Sequence, residues 1–257
     1  MTRRDACWAG SLACFASCGL SERQAVVKAV VGGQAINPGG ETIPNSVILI
    51  SGARIGNIGP LADLPVPSGS EVWNIAKRFV IPAPIELGQG VRMIPIGSTE
   101  EATTALIKVP EAAEGIVSDS DEMPLGFVEA LARAATVVVP RLAKLAAFPA
   151  RLERGIRNLK SLHDSGVRIA SFGDKDSVLE WRLLAKAGLT PKQVLDSATI
   201  HAARVARVED SAGSLRPGFL ANLWILRLDP LAGAEHLSSV ESIMIEGEWQ
   251  RKPGAAR

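Results

Sequence analysis

In Gly166–Glu180, GVRIASFGDKDSVLE, a short apolar run meets a cluster of charge and then a helix start. Val167, Ile169 and Ala170–Phe172 have the length of a buried strand, opened by the turn pair Ser165-Gly166. The run passes into Asp174, Lys175 and Asp176, and Ser177 with Glu180 three residues later predicts a capping box opening a helix. A buried parallel strand that ends on a carboxylate and feeds a helix is the unit by which a (β/α) barrel presents a functional group at its working face. The same residues support a plainer reading, in which Asp174 and Asp176 solvate a loop and favour the helix N-terminus electrostatically.

Composition narrows the function classes. The chain has 257 residues, 47% of them apolar, and a net charge of +1, so a core is affordable and no nucleic-acid footprint is expected. It contains no tyrosine, which argues against an aromatic-lined groove for a polymer. No run approaches the roughly 20 apolar residues of a membrane span. All three cysteines, Cys7, Cys14 and Cys18, fall in the first 18 residues, which excludes a disulfide framework across the fold. Arg3-Arg4 followed by the weakly apolar Ala6–Ser17 reads as a short secretory signal. Phe15-Ala16-Ser17-Cys18-Gly19 resembles a bacterial lipobox, so a lipid anchor on Cys18 and a periplasmic or membrane-tethered location are expected, with a cytoplasmic protein as the alternative.

From Ala25 the pattern is β-like, with strands expected at Ala25–Val31, Ser46–Ile50, Ala53–Ile58 and Glu71–Ile75 around turns such as Asn37–Gly40 and Ser51-Gly52. These predict a small antiparallel unit without a core of its own. Phe79–Leu87 follows, with Pro82 and Pro84 inside it. Helices are expected at Pro124–Ala134, with Leu125, Val128 and Leu131 on one face, at Pro149–Ser161 and at Val178–Ala187. Thr136–Val139 is a β-branched strand stopped by Pro140. Thr190-Pro191-Lys192-Gln193 is a second capping box, whose helix is expected to run to about Val205. Leu220–Leu226 and Val240–Ile245 are strands, so β-rich segments flank an alternating β/α middle.

Several motifs in this order resemble one family. They are Leu162–Ala170 before Asp174, then Ala187–Pro191, Ala198–Arg204, Gly213–Gly218, Ala221–Leu223 and Asp229–Leu231. Together they are similar to the C-terminal third of the amidohydrolase superfamily, in its imidazolonepropionase- and prolidase-like branch. Ile43–Ser46 through Val80–Pro82 resembles that family's leading β-sandwich. The resemblance implies a (β/α) barrel and hydrolysis of carbon–nitrogen bonds in amides, cyclic amides or dipeptides with one or two divalent metals such as zinc. It also implies a ligand set: a His-x-His pair ending the first barrel strand, a lysine ending the fourth, histidines ending the fifth and sixth, and an aspartate ending the eighth.

Carried over residue by residue, Asp174 in Phe172-Gly173-Asp174 matches the eighth-strand aspartate, the catalytic group of the family. Lys108 in Leu106–Val109 resembles the fourth-strand lysine. Gly88 and Gly90 stand at the His-x-His positions, and Ser118 stands where the sixth-strand histidine is due. His163, His201 and His236 are the chain's whole stock of histidine, and none matches a ligand position. A zinc-class site needs at least three protein ligands, so no bound metal or other cofactor is expected and hydrolysis should be weak or absent. A barrel takes roughly 250 residues, about twice the length of Ile81–Val205. The expectation is therefore an α/β chain with a shortened (β/α) barrel-type region and a small β-sandwich built from both chain ends. Residues 1–23 read as a leader, 24–80 and 207–257 as the sandwich, and 81–206 as the incomplete barrel. The open edge of such a sheet calls for a partner, and a second copy of the chain is one candidate. Any ligand is expected to be a small-molecule substrate. A non-catalytic envelope relative and a truncated gene product without activity are the competing readings.

Overall fold

The computed structural model describes residues 27–87, 94–95, 112–114, 123, 125–171 and 176–254. They form an α/β fold with two sheets, and helices pack on both faces of the smaller one. Asp174, Lys108, Cys18, Gly88, Gly90 and Ser118 lie outside the described residues.

The larger sheet joins strands from both ends of the chain. β1 (Lys28–Ile36), β2 (Thr42–Ser51) and β3 (Arg54–Pro60) pair antiparallel in sequence order. β4 (Glu71–Asn74) and β5 (Phe79–Pro82) both run parallel to β1. The unit is therefore mixed rather than antiparallel, because the connection after β3 returns the chain to the far side of β1. β5 pairs antiparallel with β10 (Leu223–Leu226), which leads to β11 (Val240–Ile245) and β12 (Glu248–Arg251). The expected boundary at residue 81 therefore cuts through a strand: all of Phe79–Pro82 belongs to the larger sheet. Pro82 is tolerated at its end, where it faces Leu223, and pairing resumes with Ala83 N–H donating to the Asn222 carbonyl at 2.9 Å. The chain ends supply one core, in which Ile48, Ile50, Val80, Leu223, Ile225 and Met244 are fully buried.

The smaller sheet is parallel: β6 (Ile94–Pro95), β7 (Ala112–Glu114), β8 (Val137–Val139) and β9 (Arg168–Ile169), in that order. All three valines of β8 are fully buried, as a strand covered on both faces requires. Val138 and Ile169 face the helices α1 (Leu125–Arg133), α2 (Pro149–Asp164) and α3 (Ser177–Lys186), through Val128, Leu131, Leu159 and Leu184. Val137, Val139 and Ala170 pack on the other face against Leu87, Ala202 and Val205. Of the face expected on α1, Leu125 is 68% exposed, and Phe127 takes the buried place.

The edge of β9 is covered too. Ala170 N–H donates inward to the Val138 carbonyl at 2.9 Å, so the backbone groups of Ile169 and Ser171 face outward. There Ser171 N–H donates to the Ser197 carbonyl at 2.9 Å, and the Ile169 carbonyl accepts from His201 Nδ1 at 2.8 Å. Ile85 N–H reaches the neighbouring Ala198 carbonyl at 2.9 Å. The junction of α4 (Pro191–Ala198) and α5 (Ile200–Ala206) therefore stands where a further strand would pair. That junction also corrects the expectation of one helix to Val205. At Thr199 the backbone leaves helical geometry (φ −122°, ψ −89°) while its hydroxyl donates back to the Leu195 carbonyl at 2.6 Å. The Thr190–Gln193 capping box forms in full.

Candidate functional site

In parallel β/α architecture the chemistry sits where strands end and loops begin. Among the described residues, that face comprises the segments after β8 and β9. After Val139 the chain turns through Pro140 and Arg141, which has a left-handed backbone (φ 52°), into the 3-10 helix Leu142–Leu145. After Ile169 come Ala170 and Ser171; the chain is described again from Asp176, just before α3.

Two adjacent residues of α3 hold both segments. Glu180 is 2% exposed, and its carboxylate accepts from Leu142 N–H at 3.0 Å and Ala143 N–H at 2.6 Å. Those are donors that the start of a helix leaves without internal partners, and a carboxylate there also meets the favourable end of the helix dipole. Glu180 thus caps another helix than its own: the N-cap position of α3 is Asp176, so Ser177 already lies inside the helix rather than at the cap position the expected box assigns it. The next residue, Trp181, donates from Nε1 to Ser171 Oγ at 3.1 Å, within the buried interior. Its ring meets Trp224 of β10 edge to face, with centroids 6.5 Å apart, which ties this face to the larger sheet. Sequence reasoning missed both roles. A glutamate three residues after a serine carries the signal of a local cap, and nothing in the chain marks Leu142 as its partner.

The histidines lie elsewhere. His163 is in the last turn of α2, His201 in α5, and His236 in the 3-10 helix Ala234–Ser238. His236 Nδ1 donates to the Asp229 carbonyl at 2.7 Å. His201 Nδ1 holds the Ile169 carbonyl, which can only accept, so the proton of the neutral ring is on Nδ1. Burial pushes the His201 imidazole below its ordinary 6.5; Arg168 and Arg204 reinforce the shift, while the Ile169 hydrogen bond and the Asp196 carboxylate oppose it. None of the three histidines comes directly after a parallel strand in the chain; the His201 ring reaches the last carbonyl of β9 from α5. Among the described residues, no three His, Cys, Asp or Glu side chains converge to hold a metal ion. The described donor set does not fit a divalent metal centre.

A sequence profile describing the amidohydrolase family matches residues 111–250, more than half of the chain. This chain belongs to the amidohydrolase family. Comparison with curated proteins by sequence returns no match. Among solved structures, this amidohydrolase is similar to molinate hydrolase, with a TM-score of 0.73 at 11% identity over 88% of this chain and 95% of that one. It is also similar to a putative prolidase from Bifidobacterium longum, with a TM-score of 0.62 at 15% identity over 91% of this chain and 96% of that one. The A. niger ochratoxinase gives 0.65 at 12% identity over 91% and 97%. At these identities the likeness is one of fold.

The family motifs in the C-terminal part resolve into structural contacts. Asn37 Oδ1 accepts from Ser214 Oγ at 2.9 Å and Leu215 N–H at 3.0 Å, and Gly218 N–H donates to the Ile55 carbonyl at 2.7 Å. Asn222 Oδ1 accepts from Glu246 N–H at 2.7 Å. Gly213 has φ +83°, and a Cβ there would lie 2.9 Å from Ala203 Cβ and 3.0 Å from the Thr199 carbonyl oxygen, so a glycine suits the close approach to α5. What the amidohydrolase motifs preserve here is the stitching of the fold.

Proposed function

We propose that this amidohydrolase keeps its family's scaffold but hydrolyses carbon–nitrogen bonds weakly or not at all. The observation that carries the reading is the placement of the histidines: Gly88 and Gly90 stand where the resemblance puts His-x-His, His163 lies in the last turn of α2, and the His201 and His236 rings are taken up by a strand edge and a connecting loop. Without imidazole ligands, a zinc-class ion lacks the donors that hold it and that lower the pKa of its bound water. In this reading Asp174 remains as the inherited carboxylate, and Lys108 has no metal to bridge. The four-stranded parallel sheet represents a shortened barrel, and the eight-stranded sheet the sandwich built from both chain ends.

The test is metal analysis of the purified chain after loading with zinc or manganese and desalting, with Asp174→Asn in parallel. The expected result is substoichiometric metal that Asp174→Asn leaves unchanged, and no chelator-sensitive turnover of amide, lactam or dipeptide substrates. Stoichiometric metal that is lost in Asp174→Asn would overturn the reading. The Phe15–Gly19 motif supports a non-catalytic envelope protein tethered through Cys18 as the second reading. Labelling with a fatty-acid analogue in a bacterial host checks it: label on the wild type and none on Cys18→Ser is expected.

A further inference from the structure

A cavity of about 210 Å³ is built around Gly166–Ile169, upstream along the chain of the loop that carries Asp174. That is far above the roughly 10–15 Å³ needed to admit one water. His163, Arg168, Gln193 and His201 line it with polar groups, while Val167 and Leu189 supply apolar wall. No carboxylate is among the residues lining it.

The polar atoms around this space have definite roles left to fill. His201 Nδ1 is committed to the Ile169 carbonyl, so Nε2 is an acceptor. Gln193 Oε1 accepts from Thr190 N–H at 2.8 Å and from the Thr190 hydroxyl at 2.9 Å, which leaves the amide N–H groups as donors. Arg168 commits one N–H to the Ala135 carbonyl at 3.3 Å and keeps its remaining N–H groups and its positive charge. A binding space with a neutral acceptor at His201 Nε2, a second imidazole at His163, donors on Gln193, the Arg168 cation and apolar walls selects its ligand by complement. A hydrocarbon would leave every one of these groups unmet, and a plain anion would leave His201 Nε2 unmet.

We propose that this cavity binds a small monocarboxylate that carries a hydroxyl donor and an apolar tail. The carboxylate is received by Arg168 and the Gln193 amide, the hydroxyl donates to His201 Nε2, and the tail lies against Val167 and Leu189. None of the residues that receive the ligand is one carried over from the family's catalytic set, so the proposal does not depend on whether hydrolysis occurs.

The experiment titrates the full chain, labelled with ¹⁵N-histidine, with 2-hydroxyisocaproate; only three imidazoles contribute to the spectrum. A saturable shift of the His201 ring signals is expected. Gln193→Glu keeps an oxygen for the Thr190 cap but replaces the donors with negative charge, so its melting midpoint should match the wild type while affinity falls about tenfold or more. Arg168→Gln should weaken binding by a similar factor, and 4-methylpentanoate, which lacks the hydroxyl, should bind the wild type about tenfold more weakly. An unsaturable titration of the wild type overturns the proposal, and so does wild-type affinity in either variant, or wild-type binding of 4-methylpentanoate as tight as that of 2-hydroxyisocaproate.

Discussion

Replacing Glu180 tests whether α3 organises the loops at the strand ends. Its carboxylate is buried and accepts two backbone N–H groups at 3.0 and 2.6 Å. In Glu180→Leu the side chain keeps roughly its volume, but the Leu142 and Ala143 donors lose their acceptor. A buried unpaired donor costs about 1–3 kcal/mol; Leu142 is fully buried and Ala143 only partly, so about 3–5 kcal/mol is expected in all. Glu180→Gln keeps one acceptor oxygen, loses the charge, and turns its NH₂ towards one of the donors, for about 1–3 kcal/mol. For a chain of this length each kcal/mol moves the melting midpoint by about 2–4 °C, so the leucine variant should melt about 6–20 °C below the wild type. Urea titration followed by tryptophan fluorescence is a suitable assay, since Trp181 is the adjacent residue. The reasoning fails if Glu180→Leu is as stable as the wild type, or if Glu180→Gln is the worse of the two.

Three further outcomes are expected. Trp181→Phe removes the donor to Ser171 Oγ while keeping most of the ring, and should cost about 1–2 kcal/mol in the same urea titration. Gly247→Ala places a Cβ on the Gly52 carbonyl oxygen at a backbone φ of +75°, so the contact between the β2–β3 and β11–β12 turns must open; a loss of about 2 kcal/mol or more is expected by thermal melting. The lowered His201 pKa makes stability depend on pH. Between the folded-state value and 6.5 the unfolded chain binds more protons than the folded one, so stability is complete above 6.5 and declines as pH falls through that window. Asn at position 201 keeps a donor for the Ile169 carbonyl and does not titrate, so urea midpoints measured from pH 8 to pH 5 should show a shallower decline for His201→Asn.

Elements set by local chemistry were legible in the chain. The valine run before Pro140 is a strand, the Thr190–Gln193 box opens a helix, and Ser51-Gly52 turns between two strands, because each depends on residues within a few positions of one another. The family motifs were legible for a related reason: several of them are short runs of side chains and glycines that close turns.

Partnership was decided only in three dimensions. Whether Glu180 caps its own helix or one beginning at Leu142 depends on how α3 packs, since the two segments are 38 residues apart. Phe79–Pro82 has the composition of a barrel strand, yet its backbone is satisfied by β10, from the far end of the chain. The edge of β9 is met by Ser197 and by His201 Nδ1 rather than by another strand. A backbone N–H or C=O must find some partner once water is excluded, but composition and periodicity do not say which one, and only the packed chain selects among the groups within reach.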